Sequence, residues 1–87
     1  MSICTVSMAD TLVADFYNEK MGIKYAKTLA LTMKDFNSEL VKSGFEVQVT
    51  VVRKSDGDII YDNLDVNDPN DYEFDGEYHI RKKGKIQ

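Results

Sequence analysis

The segment from Ile23 to Lys54 constrains the fold more than any other part of this chain, because its apolar residues change from a helical spacing to a strand spacing. In its first half, apolar residues recur three and four positions apart, which places them along one face of a helix. These residues are Ala26, Leu29, Ala30, Met33, Phe36, Leu40 and Val41. We therefore predict a helix from about Lys24 to Ser43 that ends at Gly44 with a left-handed cap.

The second half of the segment alternates between apolar and polar side chains. Phe45, Val47, Val49 and Val51 point to one side, and Glu46, Gln48 and Thr50 point to the other. Alternation with a period of two is typical of a strand that has one face on a core and one face toward water. We expect one strand over Phe45 to Lys54.

A turn follows this strand, because residues 54–58 contain Gly57 between two aspartates. It leads into a second strand over Ile59 to Leu64, so the two strands form a hairpin. The sequence is compatible with two registers for this hairpin. A three-residue loop puts Ile59 and Tyr61 on the face of the central valines, whereas a two-residue loop puts Ile60 there.

The N-terminal third favours a helix. Ile3 to Val6 is short and β-branched, which fits either an edge strand or an ordered arm. Ser7 is a candidate N-cap for a helix that stops near Gly22. Its apolar face consists of Leu12, Val13, Phe16, Tyr17 and Met21. We expect two helices that meet at a corner at Met21-Gly22.

The C-terminal part begins with a loop from Asp65 to Asp71, which contains the only proline. Tyr72 to Arg81 then reads as one continuous strand, since Tyr72, Phe74, Tyr78 and Ile80 share a face. A turn at Asp75-Gly76 would break this alternation, so we interpret Gly76 as a bulge. Residues 82–87 are expected to form a mobile basic tail.

These elements predict one α+β domain over residues 1–87. Its architecture is two-layer, with two N-terminal helices packed on one face of a three- or four-stranded antiparallel sheet. The other face of the sheet would be open and polar. The residues expected there are Glu46, Gln48, Thr50, Glu73, Asp75, Glu77, His79 and Arg81.

Several classes of function have little support in the sequence. One histidine and one cysteine make neither a zinc site nor an internal disulfide, and we interpret Cys4 as a small buried residue. No nucleophile or phosphate-binding motif is recognisable, and the acidic residues lack the spacing of a calcium loop. We expect a protein that is not an enzyme and needs no cofactor or metal. No run of 18 apolar residues and no signal-peptide pattern occurs, which favours a cytoplasmic protein without a membrane span.

Charge is distributed unevenly along the chain. Residues 1–54 hold 7 basic and 6 acidic side chains, residues 55–78 hold 9 acidic and none basic, and residues 79–87 hold 4 basic and none acidic. An acidic block of this kind favours binding to a basic surface.

Our first functional hypothesis is a small binding or inhibitor protein. Its acidic face, formed by Asp71, Glu73, Asp75 and Glu77, would dock on the basic groove of a nucleic-acid-binding host protein, nuclease or toxin. Being short, acidic and nearly free of proline, the chain is similar in character to the small accessory proteins that phages use against host defences.

The alternative hypothesis is an RNA- or single-stranded-DNA-binding module. It would use the basic C-terminal end, the end of the first hairpin and an aromatic side chain on the open sheet face. The residues concerned are Arg53, Lys54, Tyr78, Arg81, Lys82, Lys83 and Lys85. An unpaired strand edge, with Leu31 and Val52, also leaves room for a homodimer.

Overall fold

The computed structural model describes residues 2–9, 11–34, 39–66, 68–75 and 79–83, except for the side chains of Pro69 and Asp75. The predicted α+β class with an antiparallel sheet is confirmed. A four-stranded sheet has the order β2-β1-β4-β5, and a second sheet of three strands, which the sequence pattern does not predict, has the order β3-β7-β6. The elements are β1 Cys4–Met8, β2 Thr11–Phe16, α1 Glu19–Thr32, α2 Glu39–Lys42, β3 Glu46–Val47, β4 Val49–Arg53, β5 Ile59–Asp62, β6 Tyr72–Asp75 and β7 His79–Lys82.

The first helix predicted from Ser7 is wrong, because this part of the chain forms the hairpin β1–β2. Cys4, Val6 and Met8 are buried, so the alternation that begins at the N-terminus continues past Ser7. Ala9 turns the chain with a φ of 52°. Of the apolar set that suggested a helix, only Phe16 packs against the core. Pairing with β1 satisfies the backbone of this segment instead.

Of the two alternatives left open for Ile3 to Val6, an edge strand or an ordered arm, the structure has a strand, but this strand does not lie at the sheet edge. β1 lies between β2 and β4, and pairs antiparallel with both. Both hydrogen-bonding edges of β1 are therefore used, and its inward side chains are among the most buried in the described structure. The N-terminal segment is part of the core of the fold.

Helix α1 begins earlier and ends earlier than predicted. Asn18 caps its start, with its Oδ1 accepting a hydrogen bond from the Met21 N–H (3.2 Å). Gly22 lies inside α1, so the predicted corner is wrong. Gly22 is buried, and a Cβ there would be 2.7 Å from Cys4 Sγ, so the position has no room for a side chain. α1 packs against β1, β2 and β4.

The single helix predicted over Lys24 to Ser43 is also wrong, because α1 ends at Thr32 and α2 spans only Glu39–Lys42. Residues 35–38, which include Phe36, lie outside the described residues. Their sequence contains Asp, Asn and Ser, which favour helix ends over helix interiors. The predicted left-handed cap at Gly44 is confirmed, since Gly44 has a φ of 93°.

The apolar side of the alternation over Phe45 to Val51 is confirmed, since Phe45, Val47, Val49 and Val51 are all buried, but Thr50, expected to face water, is buried as well. The predicted single strand is nevertheless divided at Gln48, so that β3 pairs with β7 while β4 pairs with β1 and β5. The side chain of Asn63 explains the division. Its Oδ1 accepts from the Val49 N–H (2.7 Å), and its Nδ2 donates to the Val47 carbonyl (2.9 Å).

The hairpin β4–β5 turns where the sequence predicted, with Gly57 at a φ of 75°. Its register combines the two alternatives through a bulge. Val51 pairs with Tyr61, as the three-residue loop requires, but Val52 pairs with Ile59, which is 61% exposed. Ile60 and Tyr61 both pack against the core as a result.

The continuous strand predicted over Tyr72 to Arg81 is wrong. β6 and β7 form an antiparallel hairpin in which Tyr72 pairs with Lys82, and Phe74 with Ile80. Residues 76–78 connect the two strands and lie outside the described residues, as does the predicted bulge at Gly76. Because the connection has three residues, Phe74 and Ile80 still share a face, and the alternation looks the same as in one strand. Lys82, placed at the start of the predicted tail, belongs to β7.

Candidate protein-binding surface

The described residues include only part of the predicted acidic face. Asp71 ends a 3-10 turn directly before β6, and Glu73 lies on β6. Asp75 is described only by its backbone, and Glu77 lies outside the described residues. The hairpin pairs Glu73 with Arg81 across the two strands, and Arg81 Nε donates to Glu73 Oε1 (2.8 Å). The charge of Glu73 is therefore balanced within the molecule.

Arg81 is held by three further groups of contacts besides its strand pairing. Its guanidinium lies 4.4 Å from the centroid of the Phe45 ring, within the range of a cation–π contact. Its Nη1 donates to the carbonyl of Ser43 (2.9 Å), and its Nη2 also bonds Glu73. These contacts tie the end of α2 to the β6–β7 hairpin. Arg81 thus has a structural role that a phosphate contact would disturb.

A second charge cluster lies at the far end of β4. Arg53 donates from Nε to Glu19 (2.9 Å) and from Nη1 to Asp56 (3.0 Å), and Asp58 is 3.7 Å away. These contacts raise the pKa of Arg53, with the Glu19 hydrogen bond as the main cause. The N–H of Asp58 and the nearby Arg53 hold the pKa of Asp56 below its usual range. Arg53 is therefore occupied by carboxylates of its own chain.

Lys54 is held in the same way, since its Nζ lies 3.4 Å from Asp15 and also bonds Ser2 Oγ. Lys82 and Lys83 are exposed, but Lys82 ends β7 of the other sheet and Lys83 follows it directly. Tyr78 and Lys85 lie outside the described residues. The described structure thus places the cations of the alternative hypothesis on two different sheets, and three of them bond internal partners.

Three carboxylates of the acidic block remain, and all three lie on the connection between β5 and β6. Asp65, Asp68 and Asp71 are exposed, and none forms an ion pair within the described part of the chain. We call these three side chains the acidic surface. Asp65 has a φ of 54°, a left-handed conformation that aspartate tolerates better than most residues.

Local hydrogen bonds fix the backbone that carries the acidic surface. Asp62 Oδ1 accepts from the Leu64 N–H (3.0 Å), and its Oδ2 accepts from the Val66 N–H (3.1 Å). Asp68 Oδ1 accepts from the Asn70 N–H (3.0 Å). Aspartates that bond nearby backbone amides are typical of ordered turns. Asp62 therefore shapes the connection.

The polar side chains expected on one open face are scattered. Thr50 is only 7% exposed, and Gln48 Nε2 donates to Asp62 (3.1 Å). Glu46 is exposed and pairs with Ile80 across β3 and β7, while His79 is half-buried. Sequence reasoning placed the acidic charges on a strand and did not detect the pair Glu73–Arg81. A hairpin centred on residues 76–78 is the pattern that would have predicted this pair.

The thiol of Cys4 is fully buried, as predicted, and burial raises its pKa. No helix in the described ranges is long and apolar enough to cross a membrane. No protein-family model, no curated protein and no solved structure matches the chain.

Proposed function

We propose that this protein is a non-enzymatic binding protein that docks its acidic surface on the basic, nucleic-acid-binding groove of another protein and inhibits it by occlusion. One observation carries the proposal. Asp65, Asp68 and Asp71 are exposed and lack ion pairs in the described structure, whereas the other described acidic clusters are balanced by Arg53 and Arg81. Within the described residues, the two arginine-centred clusters hold their own carboxylates, and Asp65, Asp68 and Asp71 remain available to a partner.

Electrostatics supports this assignment. Three like charges on one short connection repel one another, and a cationic groove would remove that repulsion on binding. A negatively charged patch also speeds association with a basic partner, and this effect weakens steeply as salt screens it. The net charge of −4 acts in the same direction.

The acidic surface lies on a connection and not on the elements that build the core. We infer that α1 and the four-stranded sheet form two layers, with the acidic surface beyond one end of β5. Docking there would leave the packing of α1 on the sheet undisturbed. A small inhibitor that binds through a loop on a rigid scaffold follows the usual placement of binding residues.

The nucleic-acid-binding alternative has less support. It would require Arg53, Lys54 and Arg81 to exchange their present carboxylate partners for phosphates. The exposed Lys82 and Lys83 remain as cations for such binding. This alternative is one of the outcomes that the following experiment distinguishes.

The experiment uses the immobilised protein to capture partners from an extract of the native host, with and without nuclease treatment. The test variant carries Asp65→Asn, Asp68→Asn and Asp71→Asn. The matched control carries Glu39→Gln, Glu46→Gln and Asp58→Asn, which changes the net charge equally at exposed positions elsewhere. We expect a captured protein that survives nuclease, is eluted by salt and by free nucleic acid, and binds the test variant roughly 100-fold more weakly.

Equal binding of the test and control variants would contradict the proposed surface. Capture that disappears on nuclease treatment, or elution of RNA in place of protein, would favour the nucleic-acid-binding alternative. In that case Lys82→Gln with Lys83→Gln should weaken RNA binding and flatten its dependence on salt.

A further inference from the structure

A cavity of about 590 Å³ lies where α1, α2, β3 and β5 meet. Its volume falls within the roughly 300–1,000 Å³ of pockets that hold small molecules. Most of the described side chains around it are apolar, namely Ala30, Leu31, Val41, Phe45, Val47 and Leu64. The three aspartates of the acidic surface do not line it, so the proposed docking site leaves this cavity unexplained.

The division of the central strand at Gln48 leaves this space open. β3 and β5 are edge strands of different sheets, since β3 pairs only with β7 and β5 only with β4 in the described structure. Val47 of β3 and Tyr61 of β5 both line the cavity. Asn63, which bonds both sides of the division, lines it as well. The cavity therefore lies between two sheet edges, with α1 as a further wall.

The apolar wall formed by Phe45 and Val47 is held in place without a ligand. Phe45 is 5% exposed and Val47 is 8% exposed. The Phe45 N–H donates to the Leu40 carbonyl (2.9 Å), and the Arg81 guanidinium packs against the Phe45 ring. Because other parts of the fold fix this wall, a ligand would not have to order it on binding.

Leu31 contributes apolar surface at the mouth of the cavity. It is 76% exposed, the largest exposed fraction among the large apolar side chains of the described structure. α1 packs on the sheet through its opposite side, where Ala26 is fully buried. A ligand in the cavity would cover Leu31 and remove apolar surface from water, which is favourable.

The cavity also carries a cation that pairs with no carboxylate of the described structure. Lys27 lines it, and the Lys27 Nζ lies 5.9 Å from the centroid of the Tyr61 ring, which lines it too. Lys34 is a further lining residue, and Glu46 is the one carboxylate among the described lining residues. Two lysines and one glutamate make this lining net positive, although the chain as a whole has a net charge of −4.

The aspartates next to the lining residues do not oppose an anion in the cavity. Asp62 and Asp65 flank Asn63 and Leu64 in the sequence, but neither aspartate is part of the lining. The carboxylate of Asp62 accepts hydrogen bonds from Gln48 Nε2 and from two backbone N–H groups that follow it. Its charge is therefore directed into the connection after β5 and away from the cavity.

We propose that this cavity binds a small apolar anion, an aromatic or aliphatic molecule that carries one carboxylate or phosphate group. The apolar body would lie against Phe45 and Val47 and cover Leu31, while the anionic group would pair with Lys27. An uncharged apolar molecule would forgo the ion pair, and a small polar anion would leave the apolar wall uncovered. This inference does not depend on the proposed inhibitor function.

The test is a titration of the isotope-labelled full chain, followed through its amide signals by nuclear magnetic resonance. The probes are phenylbutyrate, phenylbutanol and phenylbutylamine, which share one apolar body and differ in charge. We expect phenylbutyrate to shift the signals of Leu31, Val47 and Tyr61 and to bind about fivefold more tightly than phenylbutanol. Phenylbutylamine should bind most weakly. Phenylbutyl phosphate, compared with phenylbutyrate, shows which of the two anionic groups the cavity prefers.

Two lysine variants separate the ion pair from a general effect of charge. Lys27→Gln should weaken phenylbutyrate binding about fivefold and leave phenylbutanol binding unchanged. Lys24→Gln is the matched control, because Lys24 is also an exposed lysine of α1 but does not line the cavity. It should change the binding of neither compound. A loss of fold would weaken both compounds together, so the difference between them reports the ion pair.

Three results would overturn the inference. The first is that none of the compounds shifts the amide signals of the cavity. The second is equal affinity for phenylbutyrate and phenylbutanol in the wild type. The third is an equal effect of Lys27→Gln and Lys24→Gln on phenylbutyrate. Because no partner protein takes part in this titration, its failure is distinct from a failure of the capture experiment on the acidic surface.

Discussion

Glu19 and Arg53 are 34 residues apart in the sequence, yet Arg53 Nε donates to Glu19 Oε2 over 2.9 Å. Glu19 is the first residue of α1, and Arg53 is the last residue of β4. Asp56 in the β4–β5 turn bonds the same guanidinium. This contact fixes where the helix starts relative to the sheet, and it leaves Arg53 in a structural role.

The first prediction concerns Asp56 and pH. Because the N–H of Asp58 and the Arg53 guanidinium lower the pKa of Asp56 in the folded state, its carboxylate stabilises the fold above its unfolded pKa of about 4. That contribution is lost as pH falls through the lower folded pKa. Urea unfolding of Asp56→Asn should therefore show a free energy that depends less on pH than that of the wild type below about pH 4. If the free energies of unfolding of the wild type and of Asp56→Asn changed with pH in the same way, the lowered pKa of Asp56 would be contradicted.

The second prediction concerns the close packing at Gly22. Gly22→Ala should lower the free energy of unfolding by about 1 kcal/mol, because overpacking against Cys4 Sγ exceeds the gain in helix propensity. In a Cys4→Ala background the sulfur is absent, so the same substitution should cost nothing or should stabilise. A double-mutant cycle from thermal or urea unfolding measures this difference. Equal effects of Gly22→Ala in both backgrounds would show that Cys4 does not set the constraint.

The third prediction concerns Asn63, which bonds both sides of the break between β3 and β4. Asn63→Ala leaves the Val49 N–H and the Val47 carbonyl without their partner, and it should destabilise the fold by about 2–3 kcal/mol. Asn70→Ala is the control, because Asn70 is exposed and its side chain forms no hydrogen bond in the described structure. It should change stability by less than about 0.5 kcal/mol. Similar unfolding curves for the two variants would contradict this role of Asn63.

The fourth prediction tests the β6–β7 hairpin. Ile80 is 2% exposed and Phe74, its cross-strand partner, is 53% exposed. Ile80→Ala should therefore cost about 3 kcal/mol, and Phe74→Ala less than half as much although it removes more atoms. Equilibrium unfolding in urea measures both. A larger effect at Phe74 would mean that the hairpin buries Phe74 more deeply than Ile80, which would contradict this prediction.

Part of the candidate site could be predicted from the sequence and part could not. The acidic block and the basic end are visible as charge runs, and Asp71 belongs to both the predicted acidic face and the acidic surface. The neutralisation of Glu73 by Arg81 is not visible, because it depends on a hairpin whose three-residue connection preserves the alternation of one strand. A charge run gives the number of carboxylates, and only strand pairing decides which of them meet a cation.

The sequence by itself determined the features that depend on neighbouring residues. The alternation predicted that Phe45, Val47, Val49 and Val51 are buried, and they are. Gly44 and Gly57 adopt the left-handed backbone conformation that the end of a helix and a tight turn require. The spacing of apolar residues and the steric limits of the backbone depend on only a few neighbouring residues, so a short stretch of sequence is enough to predict their effects.

The tertiary structure decided whether a local pattern becomes helix or strand, and which strands pair. The apolar residues from Leu12 to Met21 fit a helical face, but β1 offers Leu12 to Phe16 a partner strand, and Met21 belongs to α1. β1 is itself paired with β4. Asn63 likewise divides one predicted strand between two sheets. These choices depend on hydrogen bonds and packing between residues far apart in the sequence. A local pattern specifies which side chains are buried together, and only long-range pairing specifies what they are buried against.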